Sequence, residues 1–298
     1  MANIESILGS FYAQHRALID NIQLSDPFPD TIYHYTSASG LNGILDSKTI
    51  WFTRWDFLND PTEHQIIHKI IEECLTEFDG EANFTKHVRD INRLFQMGKK
   101  PNYFFSVDRN IYLASFSKDG DSLPLWMGYT KSSKHDGYNI GFNSKLIRET
   151  NDDLCIAPII YDIEQQKCII RNFIQHLALI WSQQTKSQHP KPDISQQIQH
   201  SIFDFTSEVG PLFKHYCYSH EAEVRIIVRA NKENAKIRSA NGLLIPYVPV
   251  PFEKKVVRNI TVSPSLDSES ASNGIRSAIE TYGYKATICL SSLPFRSI

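Results

Sequence analysis

The chain has 298 residues, a hydrophobic fraction of 41%, and a formal net charge of -2 from 31 Lys and Arg against 33 Asp and Glu. This composition excludes an intrinsically disordered chain, because there is ample apolar material to bury, and 13 Gly with 14 Pro exclude a collagen-like one. The near-neutral charge argues against general electrostatic binding to nucleic acid or to an anionic membrane, but it does not exclude a local basic patch.

The N-terminal part of the chain is predicted to be helical. Residues 1–20 place their apolar side chains on one helical face, and the Asp/Pro-rich segment 26–30 breaks that pattern. Residues 1–30 are therefore predicted to form an N-terminal helical extension. A strand follows over 32–37, and its alternation puts His34 on the face opposite its aromatic neighbours.

The rest of the chain alternates between strand and helix patterns. Helices are predicted after Asp60, over 165–184, over 194–209 and over 270–282, where Gly283 suits the C′ position. Strands are predicted over 111–117, 138–142, 156–161, 223–230, 246–250, 256–263 and 286–291. Strands at both ends with helices between them predict a single α+β domain over residues 31–298, with a mixed central β-sheet and helical insertions.

The cysteines and the N-terminus indicate a cytoplasmic protein. The 5 cysteines are scattered and form no C-x-x-C pair, so we expect reduced thiols and no metal site. The first 20 residues lack a basic region followed by an apolar run, which argues against a secretory signal. No window approaches the roughly 18 apolar residues of a membrane span, so we expect no membrane association.

One candidate site is the segment Glu221-Ala222-Glu223-Val224-Arg225. Strand alternation would place Glu221, Glu223 and Arg225 on one face, where two carboxylates and a guanidinium pair or surround a polar ligand. The alternative is an exposed edge strand whose charges face solvent.

A second set of candidates combines a histidine, two serines and two aromatic residues. His34 lies in an aromatic strand, where it is either a satisfied core histidine or a fixed hydrogen-bond donor to a ligand. Ser115 and Ser117 point to one side of a strand, and Trp126 and Tyr129 are one helical turn apart. No G-x-S-x-G motif accompanies either serine, which disfavours a serine hydrolase.

The segment 59–63 has a structural and a functional interpretation. Asp60 suits a helix N-cap and Glu63 suits the third helical position, yet Glu63 also falls on the apolar side of the helix. His64 and His68 have the spacing of paired metal ligands, but Gln replaces the catalytic Glu of the metalloprotease motif, so both histidines are predicted to lie on a solvated helix face.

These motifs occur in an order that resembles one family. They read Tyr33-His34-Tyr35-Thr36, Trp51-Phe52-Thr53, Phe57-Leu58-Asn59-Asp60-Pro61 with Glu63, Ser115-Phe116-Ser117 with Trp126 and Tyr129, the segment 221–226, and Pro294-Phe295-Arg296. This pattern resembles the bacterial domain of unknown function 2971 family, from about Ile32 to the C-terminus. The family name supplies no activity.

A looser resemblance, to the ADP-ribosyltransferase superfamily, does supply one. It implies an ADP-ribosyltransferase-like fold, NAD as substrate, Glu223 as the catalytic carboxylate and Glu221 as a second acid. On electrostatic grounds, we expect Arg225 to keep Glu223 ionised. The implied NAD-binding residues are His34, Tyr35, Thr36, Thr53, Ser115, Ser117, Trp126 and Tyr129. Asn59, Asp60 and Glu63 are additional candidate site residues that come from their own segment and not from this resemblance. The chain departs from that superfamily because it lacks an S-T-S triplet and because the Asn59-Asp60 motif has no counterpart there.

The resemblance leads to one expected function, beside which two others stay open. It implies an enzyme that cleaves the nicotinamide–ribose bond of NAD and modifies an unknown macromolecular acceptor, as a toxin or phage-defence protein with an antitoxin-like partner. The first alternative is a non-catalytic sensor or adaptor that binds a nucleotide-like ligand or a protein. The second is a metal-dependent nuclease, which requires Asp60, Glu63, Glu221 and Glu223 to converge.

Overall fold

The computed structural model of the protein describes residues 28–58, 63–97, 109–130, 137–150, 154–185, 194–240 and 242–294. The described residues divide into two compact units: a helical unit with those that fall within 58–108 and 159–217, and a sheet unit with those that fall within 25–57, 109–158 and 218–298. The predicted helical extension over 1–30 lies almost wholly outside the described residues, and the single domain over 31–298 stays a prediction.

The described strands all lie in the sheet unit. They are β1 (Thr31–Thr36), β2 (Thr49–Arg54), β3 (Arg109–Ser117), β4 (Tyr138–Asn143), β5 (Cys155–Pro158), β6 (Glu223–Asn231), β7 (Lys236–Ala240), β8 (Leu243–Pro251), β9 (Val257–Val262) and β10 (Thr287–Leu290).

The described α-helices belong to both units. They are α1 (Ala38–Ser47), α2 (Ile66–Glu77), α3 (Ala82–Gln96), α4 (Leu123–Tyr129), α5 (Ser144–Thr150), α6 (Ile163–Thr185), α7 (Ile194–Val209) and α8 (Ser268–Tyr282). The 3₁₀ segments are Trp55–Phe57, Glu63–Gln65, Gly210–Leu212, Tyr216–Glu221, Lys232–Asn234 and Lys254–Val256.

The strands form one 10-stranded sheet in the order β10-β9-β4-β1-β3-β2-β8-β7, and β6 pairs with both β3 and β5. β10 runs parallel to β9, whereas β1 and β3 run antiparallel, so the sheet is mixed. The predicted α+β class with a mixed central sheet is therefore confirmed. Strand β3 is the centre of the arrangement, because it pairs with β6 along its length while β1 and β2 both reach it.

One face of the sheet carries a large hydrophobic core. Tyr112, Ala114 and Phe116 of β3 alternate into it, and buried residues of α1 and α8 pack there. Helix α8 ends as predicted, because Gly283 adopts a φ of +70° and its backbone N–H bonds the carbonyl of Ile279.

The helical unit buries a polar contact between α2 and α3. His68 Nδ1 lies 2.8 Å from Asn92 Oδ1, and Asn92 Nδ2 donates to the carbonyl of His68 at 2.9 Å. Both residues are buried, so the predicted solvated position of His68 is wrong. His68 lies on the side of α2 that contacts Asn92 of α3, and this contact removes it from solvent. No described helix is both long and apolar enough to cross a membrane.

Candidate functional site

The register of the central strands gathers several predicted residues on one sheet face. Ser115 lies opposite Arg225 and Ser117 lies opposite Glu223 in the β3–β6 pair. Directly opposed residues point to the same side of a sheet, and residues two apart on a strand do so as well. We call the face that carries Ser115, Ser117, Glu223 and Arg225 the carboxylate face. It is opposite the face that carries the hydrophobic core around Phe116.

Glu223 and Arg225 form a buried ion pair on this face. Arg225 Nε donates to one carboxylate oxygen at 2.8 Å and Arg225 Nη2 donates to the other at 3.2 Å. The side chains are only 3% and 1% exposed, respectively. An exposed edge strand is the wrong interpretation of this segment, because β6 pairs with β3 on one side and with β5 on the other. The two-point contact fixes the orientation of the carboxylate.

Glu221 reaches the site in a different way from the one predicted. It ends the 3₁₀ segment Tyr216–Glu221 and is not part of β6, which begins at Glu223. Its side chain is buried and accepts a hydrogen bond from the Tyr129 hydroxyl at 2.9 Å, while its carbonyl accepts one from Ser117 Oγ at 2.7 Å. The predicted strand position of Glu221 is therefore wrong, although Glu221 and Glu223 both contact residues of the site.

The physical reason for this difference lies in the backbone of Ala222, which has a φ of +44°. A residue other than Gly seldom adopts this left-handed region, because Cβ crowds the backbone there. The conformation interrupts the strand between the two acids. It is kept in place by a hydrogen bond from Lys118 N to the Ala222 carbonyl at 2.9 Å and by one from Ala222 N to the Ser219 carbonyl at 3.1 Å.

Replacing Ala222 with Val is expected to lower the free energy of unfolding by about 1–2 kcal/mol, because a branched Cβ is disfavoured at positive φ. Replacement with Gly should change it by less than about 1 kcal/mol, since relief of crowding is offset by a more flexible unfolded chain. Urea denaturation of the full chain measures both. The control is Ala235→Val, because Ala235 also follows a 3₁₀ segment but has an extended φ of -82°. Equal losses at both positions would contradict a backbone cause.

A cluster of aromatic residues contacts Tyr129, whose hydroxyl bonds Glu221. Tyr35 and Trp126 meet edge to face with ring centroids 4.7 Å apart, and Tyr129 packs against this buried pair. The Tyr35 hydroxyl donates to the carbonyl of Asp119 at 2.9 Å and accepts from Ser122 N at 3.0 Å. Burial raises the pKa of Tyr35, so its hydroxyl stays protonated. Tyr35 thus holds the loop that precedes α4.

Asp121 is a site residue that the sequence reasoning missed. It accepts hydrogen bonds from the Trp126 indole at 2.9 Å, from Ser291 Oγ at 2.6 Å and from Ser292 N at 2.7 Å. Desolvation raises the pKa of Asp121, but these hydrogen bonds outweigh it and hold the pKa below its usual value. A carboxylate in the turn before a short helix was the available signal.

His34 and Thr36 lie on the opposite side of the sheet. His34 stands against Phe116 of the hydrophobic core, with ring centroids 5.4 Å apart, and its Nδ1 donates to the Ser115 carbonyl at 3.0 Å. Burial lowers the pKa of His34, although that hydrogen bond acts in the other direction, so the ring is neutral near pH 7. With Nδ1 protonated, Nε2 presents a lone pair. The histidine and Glu223 are therefore not side by side on one face.

The remaining predicted residues are dispersed. Thr53 belongs to the carboxylate face farther along the sheet and accepts a hydrogen bond from Arg238 at 2.9 Å. Glu63 lies in the helical unit, 3% exposed, with its Oε1 3.8 Å from the Nζ of Lys214. Asn59 and Asp60 lie outside the described residues. In the part of the chain that the structure describes, no group of three or more His, Cys, Asp or Glu residues is arranged to hold a metal ion.

Comparison with known proteins bears on part of this site. Residues 125–226, about a third of the chain, match the family model described as "Protein of unknown function (DUF2971)". The matched range includes Trp126, Tyr129, Glu221, Glu223 and Arg225, whereas the motifs before and after it lie outside the match. No curated protein matches the chain, so the similarity to ADP-ribosyltransferases rests on the residues alone. Over residues 125–226 the match supports the resemblance to the DUF2971 family.

Proposed function

We propose that the chain is an ADP-ribosyltransferase-like enzyme that cleaves the nicotinamide–ribose bond of NAD and transfers ADP-ribose to a macromolecular acceptor in the cytoplasm. The observation that carries the proposal is Glu223, a buried carboxylate held at two points by Arg225. The neighbouring guanidinium favours the ionised form of the acid and fixes its direction.

A fixed carboxylate suits the chemistry of this bond. When the bond between the nicotinamide nitrogen and ribose C1′ breaks, the electron pair leaves with nicotinamide and positive charge develops on the sugar, as in glycoside hydrolysis. A preorganised negative group stabilises that charge without reorganisation during the reaction. The acceptor nucleophile then bonds to C1′ and loses its proton. In this scheme Glu223 stabilises the sugar cation.

Glu221 takes up the proton that the acceptor nucleophile loses. Its carboxylate accepts a hydrogen bond from the Tyr129 hydroxyl at 2.9 Å, which fixes its direction. Ser117 bonds the carbonyl of Glu221 and lies opposite Glu223, which links the positions of the two acids. In ADP-ribosyltransferases with an E-x-E motif both acids act, and the same division of labour is proposed here.

The position of His34 argues for revising one role that the resemblance implies. Its side chain lies on the core face beside Phe116, and Glu223 lies on the other face. We therefore propose that His34 positions β3 through the Ser115 carbonyl, and that it does not share a binding cleft with Glu223.

A second candidate function is non-catalytic binding of a nucleotide-like ligand. The observation that favours it is that the Glu223 side chain is only 3% exposed, which restricts the access of a substrate to its carboxylate. Such a site holds a ligand without breaking a bond in it.

Nicotinamide release from NAD by the purified full chain separates the two candidates. If the chain is the proposed enzyme, the wild type should release nicotinamide. Glu223→Gln should release it about 100-fold or more slowly and still bind NAD in calorimetry. Glu221→Gln is the second variant, because the amide oxygen can still accept the hydrogen bond from Tyr129 and the fold is less at risk. Glu280→Gln, at an exposed position on α8, is the control. Binding without release in every variant favours the sensor, and neither binding nor release overturns both.

A further inference from the structure

A group of side chains that the proposed chemistry does not use lies farther along the carboxylate face. Thr53 of β2 stands opposite Leu113 of β3 and opposite Tyr247 of β8, and Trp51 is two residues before it on the same side. We call Trp51, Thr53, Arg238 and Tyr247 the Trp51 patch. Leu113 is four residues from Ser117, about 13 Å along a strand, so the patch is separate from Glu223.

The patch presents an aromatic surface to solvent. The Trp51 side chain is 48% exposed, an unusual state for so large an apolar group. Its indole packs on the ring of Tyr247, with centroids 4.5 Å apart and planes tilted by 33°. Tyr247 is only 8% exposed and therefore supports the indole from the protein side. A supported and accessible indole is a platform on which a planar ring can stack.

Arg238 supplies a positive charge beside this platform. Its Nη2 donates to Thr53 Oγ1 at 2.9 Å, and its Cζ lies 5.9 Å from the centroid of the Trp51 ring. Nε is buried without a hydrogen-bond partner. Among the residues that the structure describes, no carboxylate forms an ion pair with Arg238. Desolvation lowers the pKa of its guanidinium.

An arginine that is partly desolvated and lacks a counter-charge is unfavourable unless something else supplies the negative group. Guanidinium donors match the geometry of phosphate oxygens, so a phosphate is well suited to that role. Proteins that bind single-stranded nucleic acid without sequence preference stack its bases on aromatic side chains and hold its phosphates with cations. Both features occur together in the Trp51 patch.

We propose that the Trp51 patch binds a nucleoside monophosphate, with the base against the indole of Trp51 and the phosphate on the guanidinium of Arg238. Thr53 holds the guanidinium in place through its hydroxyl. Tyr247 holds the indole. This inference goes beyond the proposed cleavage of NAD and requires no bond to be broken.

Calorimetric titration of the full chain with AMP tests the patch. The wild type should bind one AMP per chain, and Arg238→Gln and Trp51→Ala should each weaken binding by about tenfold or more, the effect of losing a charge-assisted contact or a stacking partner. Adenosine and inorganic phosphate, each carrying half of the ligand, should bind about tenfold or more weakly than AMP. Arg258→Gln should leave the affinity unchanged; Arg258 also bonds a threonine, Thr31, at 2.9 Å, but at an exposed position.

Other results would overturn the proposal. No binding of AMP at millimolar concentration by folded wild type would do so, as would equal affinities of the wild type, Arg238→Gln and Trp51→Ala. Phosphate binding as tightly as AMP would remove any role for the indole.

Arg238→Lys keeps the charge but loses the planar fork, and its weaker binding in a protein with an unchanged melting temperature excludes unfolding as the cause. Glu223→Gln should bind AMP normally, so failure of the patch and failure of NAD cleavage are distinguishable.

Discussion

Arg225→Met is expected to lower the free energy of unfolding by about 3–5 kcal/mol, because it removes the guanidinium that bonds both oxygens of a buried carboxylate. Glu223 is 3% exposed and both of its oxygens accept from Arg225, at 2.8 and 3.2 Å. Removing the guanidinium takes away both hydrogen bonds and the opposite charge, while water cannot easily replace them. Urea denaturation followed by circular dichroism measures the loss.

A double variant distinguishes a broken pair from lost packing. Glu223→Gln with Arg225→Met removes both charges, so it should recover most of the stability that Arg225→Met alone has lost. Arg258→Met is the control at an exposed arginine and should change the free energy of unfolding by less than about 0.5 kcal/mol. A double variant no more stable than Arg225→Met would mean that the charge of Glu223 is not the cause of the loss.

This pair also shows what could be predicted from the sequence and what could not. The alternation of residues 223–230 predicted β6 and placed Glu223 and Arg225 on one face, because side chains in a strand have a period of two. That β6 is an interior strand of the sheet was not predictable. It depends on β3 and β5 pairing on either side of β6, and such non-local pairing is fixed by tertiary packing.

The errors at the site have local and non-local causes. Extending the strand pattern back to Glu221 was wrong, because the positive φ of Ala222 ends the alternation and Ala carries no signal for that conformation. The prediction that His34 and Tyr35 point to opposite faces of β1 was correct. The face on which Glu223 lies is set by two registers, the pairing of Tyr33 with Ser117 and the pairing of Ser117 with Glu223. That chain of registers links residues almost 200 positions apart.

The helices were predicted more accurately than the contacts between them. The apolar spacing of α2, α6, α7 and α8 is a local property, and so is the positive φ that Gly283 permits at the end of α8. The contact of His68 with Asn92 joins two helices and has no signature in either one. Asp121 was missed for the same reason, since its partners Ser291 and Ser292 lie far along the chain.

The replacement of Trp126 with Ala is expected to lower the free energy of unfolding by about 3–5 kcal/mol, because it leaves a large cavity in a buried cluster. Trp126 is 1% exposed, its ring meets that of Tyr35, and its indole N–H donates to Asp121. The variant therefore loses buried area, an aromatic contact and a hydrogen bond to a carboxylate. Trp126→Phe should lose less, since it refills part of the space.

Met127→Ala is the matched control for this change, because Met127 is the next residue on α4 and is 49% exposed. It should alter the free energy of unfolding by less than about 0.5 kcal/mol, and a loss as large as that of Trp126→Ala would instead indicate a general sensitivity of α4. The effect should extend to the candidate site, since Tyr129 follows one turn later and holds the carboxylate of Glu221. If the proposed chemistry is correct, Trp126→Ala should slow nicotinamide release even under conditions where the variant is fully folded, because a less firmly held α4 leaves Glu221 less well oriented.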